Sequence, residues 1–307
     1  MMSKLICKSQ PLRVMFDTNT YRHIINCSAD NDNSACVYKR LNRMIRRGLI
    51  EAFLSETLFT IEAIKKNDRL AFIASQQPKT TSRTRISGNT INTTVTLGPD
   101  DNHRVNFEGT GPLREYFEKA LKLGFKIIRL PRIAGIMNAD IKDEQLYKIK
   151  NSDDFHSYNN KAGEVGQKIE SNGAGFAHIL QILSQYDNQT NDIYKKFDLL
   201  FADVNKLPDS QRNIEIQKVA KAIAELSDGD SVACSIGLNC DAFCTNDRAV
   251  AAGQHSVFSA NNVLWLKNDY GFNKLSPTEL VSFVRRNNCF VLRLWNYVVE
   301  LFCNSNK

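Results

Sequence analysis

Four carboxylates, Asp17, Glu62, Asp230 and Asp247, stand where chemistry can be built. Asp17 ends the apolar run Leu12-Arg13-Val14-Met15-Phe16 and is followed by Thr18 and Asn19. Asp247 closes the polar elbow Thr245-Asn246-Asp247 after a second brief apolar run, Ala242-Phe243-Cys244. An acid just past the end of a buried strand sits where open α/β sheets place their ligands. Two such acids from opposite ends of the chain point to one site assembled from distant segments. Carboxylates gathered closely shift their pKa values strongly unless a cation neutralises them. Their hard oxygen atoms select Mg²⁺ or Mn²⁺. An ion held by acids with open coordination positions activates water and stabilises charge on a phosphoryl group, so the chemistry implied is phosphodiester hydrolysis. Thr18, Asn19, Thr245 and Asn246 are supporting residues, placed to hydrogen-bond a carboxylate or a bound water.

Each acid also has a plain structural role open to it. An Asp after a strand is often only a helix cap. Asp230 would open a small apolar helix from Ser231 to Leu238, and Asp228, two residues earlier in the preceding turn, competes with it as the third acid. Glu62 falls on a helix expected from Ser55 through Lys66, with Leu58, Ile61 and Ile64 as its apolar stripe. Alone it reads as a solvated glutamate. The combination carries the reading.

The elements that would position these acids alternate between short apolar runs and helical periodicity, the pattern of an α/β domain. Strands are expected near Asp17, at Glu51-Ala52-Phe53-Leu54, at Phe125 to Leu130, at Ala242-Phe243-Cys244, at Val263-Leu264-Trp265-Leu266 and at Asn273 to Leu275. Helices are expected at Thr18 to Asn26 (capped by Thr18 or Asn19), Tyr38 to Arg47, Pro112 to Leu123, Lys161 to Tyr186, Asp192 to Val204 and Gln211 to Leu226. Ser276-Pro277-Thr278-Glu279 has the Ser-to-Glu spacing of a capping box with Pro at the first turn. Pro78 to Gly111 is polar, with β-branched alternation around Ser87-Gly88-Asn89, and reads as a hairpin insertion.

The chain's 307 residues allow one large domain or two modest ones, and 42% hydrophobic residues suffice for a core. No run reaches the roughly 18 apolar residues of a membrane span. Met1 to Gln10 lacks the apolar region and cleavage site of a secretory signal, so the eight cysteines read as reduced thiols in a cytoplasm. Cys234, Cys240 and Cys244 lack zinc-site spacing and read as small buried residues. The formal net charge of +7 favours an anionic partner such as nucleic acid. Arg40, Arg43, Arg46 and Arg47 on one helix, Lys65, Lys66 and Arg69 at the end of the helix expected to carry Glu62, and Arg248 beside Asp247 are the candidate phosphate contacts.

Three stretches together resemble the PIN domain family of metal-dependent ribonucleases, found among toxin–antitoxin toxins and RNA-processing nucleases. They are Val14-Met15-Phe16-Asp17-Thr18-Asn19, the segment Ser55 to Glu62, and Asp230 through Asp241 to Thr245-Asn246-Asp247-Arg248. The Ser276-Pro277-Thr278-Glu279-Leu280 stretch resembles the end of such domains. The resemblance covers residues 11–75, 111–132 and 211–285. It implies a PIN-like α/β fold, a mainly parallel central sheet flanked by helices with the acids at its carboxyl edge. It further implies that Asp17, Glu62, Asp230 and Asp247 bind the metal and carry catalysis, that RNA is the substrate, and that an antitoxin-like or other protein is a partner. A typical toxin of the family is less than half this length. The expected layout is therefore a domain over 1–287, with a polar insertion at 76–111 and an added helical one at 135–210, then an amphipathic tail over 288–307 that packs on the core or forms a homodimer face.

Two other readings compete. A haloacid dehalogenase-type phosphatase also begins with a strand ending in Asp but wants a second Asp two residues on, where this chain has Asn19. A non-catalytic PIN-like module would bind RNA or protein without cutting.

Overall fold

The strands that follow the sequence's short apolar runs are buried on both faces, as strands of a parallel sheet must be. A computed structural model of the protein describes residues 10–27, 33–59, 61–62, 64–74, 78–87, 90–99, 113–129, 143–186, 192–249 and 253–287. In chain order the strands are β1 (Leu12–Phe16), β2 (Ile50–Ser55), β3 (Pro78–Ser87), β4 (Thr90–Pro99), β5 (Lys126–Ile128), β6 (Ala242–Cys244) and β7 (Lys274–Leu275). Five of them form one sheet in the order β5-β2-β1-β6-β7, with every pairing parallel. The chain first builds to one side of β1 and then returns to build on the other. The boundary between β1 and β6 is thus a topological switch point, where open α/β sheets leave a crevice at the carboxyl ends of the strands.

The helices are α1 (Thr18–Ile25), α2 (Asn33–Arg46), α3 (Arg69–Ala74), α4 (Leu113–Leu123), α5 (Ser152–Ser171), α6 (Phe176–Ser184), α7 (Ile193–Lys206), α8 (Asp209–Gly237), α9 (Ala260–Tyr270) and α10 (residues 277–287). The period-2 alternation of the strands sorts the core into two layers. Val14, Phe16, Ala52, Leu54 and Cys244 face Tyr21, Leu41, Phe117 and Val284, so α1, α2, α4 and α10 cover one side. Met15, Phe53 and Phe243 face Tyr158, Val165, Val232 and Leu266, so α5, α8 and α9 cover the other. A third apolar cluster joins α3, α6 and α7 to the amino-terminal half of α8 through Ile73, Leu183, Phe197, Val219 and Ile223.

Four local expectations are corrected. Asp17 itself, not Thr18 or Asn19, caps α1, accepting from Thr18 N. The helix expected over Ser55 to Lys66 is a short 3-10 turn (Glu56–Phe59) followed by a turn holding Glu62, whose N–H reaches back to Thr57 O at 3.1 Å. Val263 to Leu266 belongs to helix α9, begun by the Ser259 cap and ended by Gly271 at φ 69°. Of this run Leu266 is buried in the core, while Leu264 is 58% exposed.

The largest correction is α8. The Ser-Asp-Gly-Asp stretch read as a turn is the interior of a single 29-residue helix, about 43 Å long at 1.5 Å per residue. Its glycines mark close helix approaches instead of turns. A Cβ on Gly229 would lie 3.5 Å from Gly175 Cα, and one on Gly237 would lie 2.9 Å from Ala162 Cβ and 3.1 Å from Tyr158 O. Tertiary packing overrides the local penalty of glycine within a helix.

In the polar insertion, β3 and β4 pair as an antiparallel hairpin with Ser87 opposite Thr90. Gly88 and Asn89 lie outside the described residues, as does the tail over 288–307. Among the described residues no helix is long and apolar enough to cross a membrane.

Candidate metal centre

The carboxyl ends of β1 and β6 lie side by side, with Phe16 in register with Cys244 and Asp17 N bonded to Cys244 O at 3.1 Å. Asp17, only 5% exposed, emerges here. Its Oδ1 accepts from Thr18 N at 2.6 Å; its Oδ2 accepts from Asn19 Nδ2 at 2.7 Å and from Thr245 Oγ1 at 2.6 Å. Asn19 also accepts from Asn246 N at 3.0 Å, and Thr245 Oγ1 accepts from Asp247 N at 2.9 Å. The supporting residues therefore lock the two strand ends to each other. Asp247 in turn accepts from Ala249 N at 2.6 Å, which fixes the elbow after β6.

Glu62 arrives from a different loop and is held on both oxygens. Thr18 Oγ1 of α1 donates to its Oε2 at 2.5 Å, and Ser227 Oγ of α8 donates to its Oε1 at 2.7 Å. The loop itself is pinned by Arg69, whose buried guanidinium donates to the carbonyls of Glu62 (3.3 Å), Ile64 (3.2 Å) and Ala220 (3.2 Å).

Asp228 on α8 completes the group. One carboxylate oxygen from each of Asp17, Glu62 and Asp228 lies within 4.8 Å of the others. Asp230 is not part of it. Two helical residues turn a side chain by about 200°, and Asp230 is buried at 3% exposure on the far side of α8, where its charge adds to burial in raising the pKa of Tyr158 and Cys234. The third acid is therefore Asp228. Asp247 lines the same cleft and repels both Asp17 and Asp228, but stands outside the 4.8 Å group.

The electrostatics record the crowding. Burial, then Glu62, push the Asp17 carboxyl up to about 7, against the hydrogen bonds from Thr245 and Thr18. Burial, then Asp17, Glu62 and Glu225, raise Asp228 well above the usual carboxylate range. Glu225, one turn earlier on α8 and 6% exposed, is pushed up to about 7 by burial and by Asp247. Such a group either holds protons or takes up a cation. Oxygens up to about 4–5 Å apart can share one cation at 2.0–2.6 Å, and an all-oxygen anionic set suits Mg²⁺, Mn²⁺ or Ca²⁺ over softer metals. The residues fit a divalent ion.

Around the acids opens a cleft of about 690 Å³. Its cations are Arg22, Lys66 and Arg69, with the guanidinium of Arg22 over the Tyr116 ring at 5.4 Å. Of the basic residues singled out in the sequence, Lys66 and Arg69 line it. Arg43 and Arg46 are exposed along α2 and Arg47 is exposed just after it, while Lys65 and Arg248 are exposed near the cleft residues that adjoin them in sequence. Arg22 and Glu225 escaped the sequence reading, and Arg69 was read only as a candidate phosphate contact, not as the buried guanidinium that pins the Glu62 loop. Arg22 had a readable signal, since it stands three residues after Asn19 on the same helix face. Glu225, and the pinning role of Arg69, had none short of knowing how α8 crosses the loop after β2.

Among models of known protein families, curated proteins and solved structures, none matches this chain.

Proposed function

We propose that the cleft is the active centre of a metal-dependent nuclease of PIN-like fold, which hydrolyses phosphodiester bonds of RNA with Mg²⁺ or Mn²⁺. One observation carries the reading: the carboxylates of Asp17, Glu62 and Asp228, drawn from three separate segments, converge at the switch point of a parallel sheet. Like charges brought together and buried cost stability, and a fold that keeps them has a use for them.

Asp17, Glu62 and Asp228 would hold the ion; when bound, it supplies an activated water and neutralises charge developing on phosphate. Thr18 and Ser227 orient Glu62, and Asn19 and Thr245 orient Asp17. Asp247, in the same cleft but outside the group of three, is placed to orient the attacking water and take up its proton. Arg22 and Lys66 would receive the phosphates on either side. RNA as the substrate comes from the resemblance of the strand-and-acid motifs. The reading does not depend on an antitoxin-like partner or a homodimer. The phosphatase reading loses ground, because the residue two after Asp17 is Asn19, which donates to Asp17 where that family wants a second carboxylate.

The test is cleavage of labelled single-stranded RNA and DNA by the wild type with Mn²⁺, with Mg²⁺ and with EDTA, beside an Asp17→Asn plus Asp247→Asn variant. Cleavage of RNA that needs the metal and disappears in the variant supports the reading. Metal binding without cleavage of either strand moves the protein to the non-catalytic module.

A further inference from the structure

The cleft-facing side of α1 continues beyond the acids. Asn19, Arg22, His23 and Asn26 stand at i, i+3, i+4 and i+7, so they share one helix face, and all four line the cleft. Thr20, Tyr21 and Ile24 are buried on the opposite face. Asn19 holds Asp17 at one end of this polar stripe. His23 stands about 6 Å further along the helix axis, at 1.5 Å per residue.

His23 is exposed, yet its ring is not loose. It stacks on Tyr38 of α2, with ring centroids 5.0 Å apart and planes inclined by 23°. With one face taken by Tyr38, an exposed ring lining the cleft offers its other face to a ligand. The stack is also tied to the centre. Asn246 Nδ2 donates to Tyr38 Oη at 2.8 Å, and Asn246 N donates to Asn19 Oδ1 at 3.0 Å. Arg22, the neighbour of His23 in the stripe, lines the same cleft with its guanidinium over the Tyr116 ring at 5.4 Å. A preorganised aromatic face in a cleft that also holds a cation and a group that would bind a metal and a phosphate is the arrangement that binds a nucleotide: phosphate to charge, base to ring.

We propose that His23, stacked on Tyr38, is a base-stacking subsite for the nucleotide next to the scissile phosphate, so that the substrate is single-stranded or locally unpaired RNA. A paired base has both faces covered by its neighbours and reaches such a ring only when splayed out. The inference rests on the nuclease reading of the acid group, and it names which form of RNA that group meets.

The test measures binding by fluorescence anisotropy in Ca²⁺, which occupies oxygen sites. The probes are a short single-stranded RNA, its duplex, and a series of the same strand with one abasic position moved along it. The proteins are the wild type, His23→Ala and His23→Phe. Base–aromatic stacking predicts a loss of about tenfold or more in affinity for His23→Ala on the intact strand. That loss disappears when the strand is abasic at one particular position, and His23→Phe restores the affinity. Equal losses on the intact strand and on every abasic strand would mean a purely structural role and overturn the proposal. So would duplex binding as tight as single-strand binding, or no binding of RNA by the wild type. Parallel cleavage of the intact strand in Mn²⁺ separates the two claims. Cleavage without the abasic pattern removes the subsite and leaves the nuclease; the abasic pattern without cleavage removes the nuclease and leaves the subsite.

Discussion

At the amino-terminal edge of the sheet, Glu51 lies between Arg13, 3.3 Å away, and Lys126, while Asp241 accepts from Arg13 N at 2.7 Å. Arg13 and Lys126 also lie over the ring of Phe53. At the carboxyl edge, Asp17, Glu62 and Asp228 face one another, and Asp17 and Glu62 accept from hydroxyls and amides. The first arrangement neutralises its charges within the protein. The second leaves a concentration of negative charge for something from outside to complete. The same strands thus carry charge at both ends, and the pairing, more than the presence of acids, separates a structural edge from a chemical one.

The sharpest way to break this comparison is to exchange the acids on α8. Asp228→Asn should reduce metal-dependent cleavage about a hundredfold or more, since it removes a ligand oxygen that bears charge. Asp230→Asn should leave cleavage per folded molecule near the wild-type level and lower stability by about 1–3 kcal/mol, as for a disturbed buried polar group. Denaturant titration beside the kinetic assay separates the two effects. Equal kinetic losses would mean that the two sides of α8 are not distinct.

A pH series sharpens the electrostatic half of the comparison. The folded-state value for Asp17, about 7, lies above its ordinary value of 3.8. Between these limits the folded protein binds more protons than the unfolded chain, so this group's contribution makes the metal-free protein less stable as pH rises from about 4 to about 7. The slope should flatten above 7 and shrink in Asp17→Asn. Metal binding must displace the protons that burial and crowding hold on Asp17 and Asp228, so Mn²⁺ affinity should rise with pH, by about tenfold per unit for each proton displaced. Calorimetry with Mn²⁺ at pH 5, 6, 7 and 8 checks the sign and the number of protons displaced.

The close packing of the helix that carries Asp228 can also be tested. Gly237→Ala drives a methyl group against Ala162 and the Tyr158 carbonyl, and should cost about 1–3 kcal/mol by overpacking. The cations come next in size. Arg22→Ala and Lys66→Ala should each weaken RNA binding and lower the salt slope by about 1, whereas Arg46→Ala and Arg47→Ala, exposed at and just after the end of α2, should change it less. Smallest of all, Glu51→Gln at the opposite edge should alter stability by no more than about 1 kcal/mol, because its ion pairs are partly exposed, and should leave cleavage unchanged.

The residues explain what could be read without coordinates. Phe16-Asp17 and Cys244-Thr245-Asn246-Asp247 were legible because a run of three to five buried residues that stops at polar ones has few structures open to it. The capping box at Ser276 and Glu279 was legible for a similar reason, and forms with Ser276 N and Oγ both donating to Glu279 at 2.8 and 2.7 Å. Asp228 and Asp230 could not be told apart, because glycine signals either a turn or a close helix contact, and only the position of Gly175 against Gly229 decides which. Glu62 was found as an acid but set on a helix that does not form, since its place depends on hydrogen bonds from Arg69 to three carbonyls in two segments. Long-range packing of this kind leaves no periodicity in the sequence.

The most direct measurement is a Mn²⁺ titration followed by electron paramagnetic resonance for the wild type, Asp228→Asn and Asp230→Asn at pH 8, where Asp17 is ionised. The structure predicts a saturable site in the wild type, largely lost in Asp228→Asn and kept in folded Asp230→Asn. A wild type that leaves all Mn²⁺ free in solution, or an Asp228→Asn variant that binds it as well as the wild type, would contradict the claim that Asp17, Glu62 and Asp228 together form a divalent-metal centre.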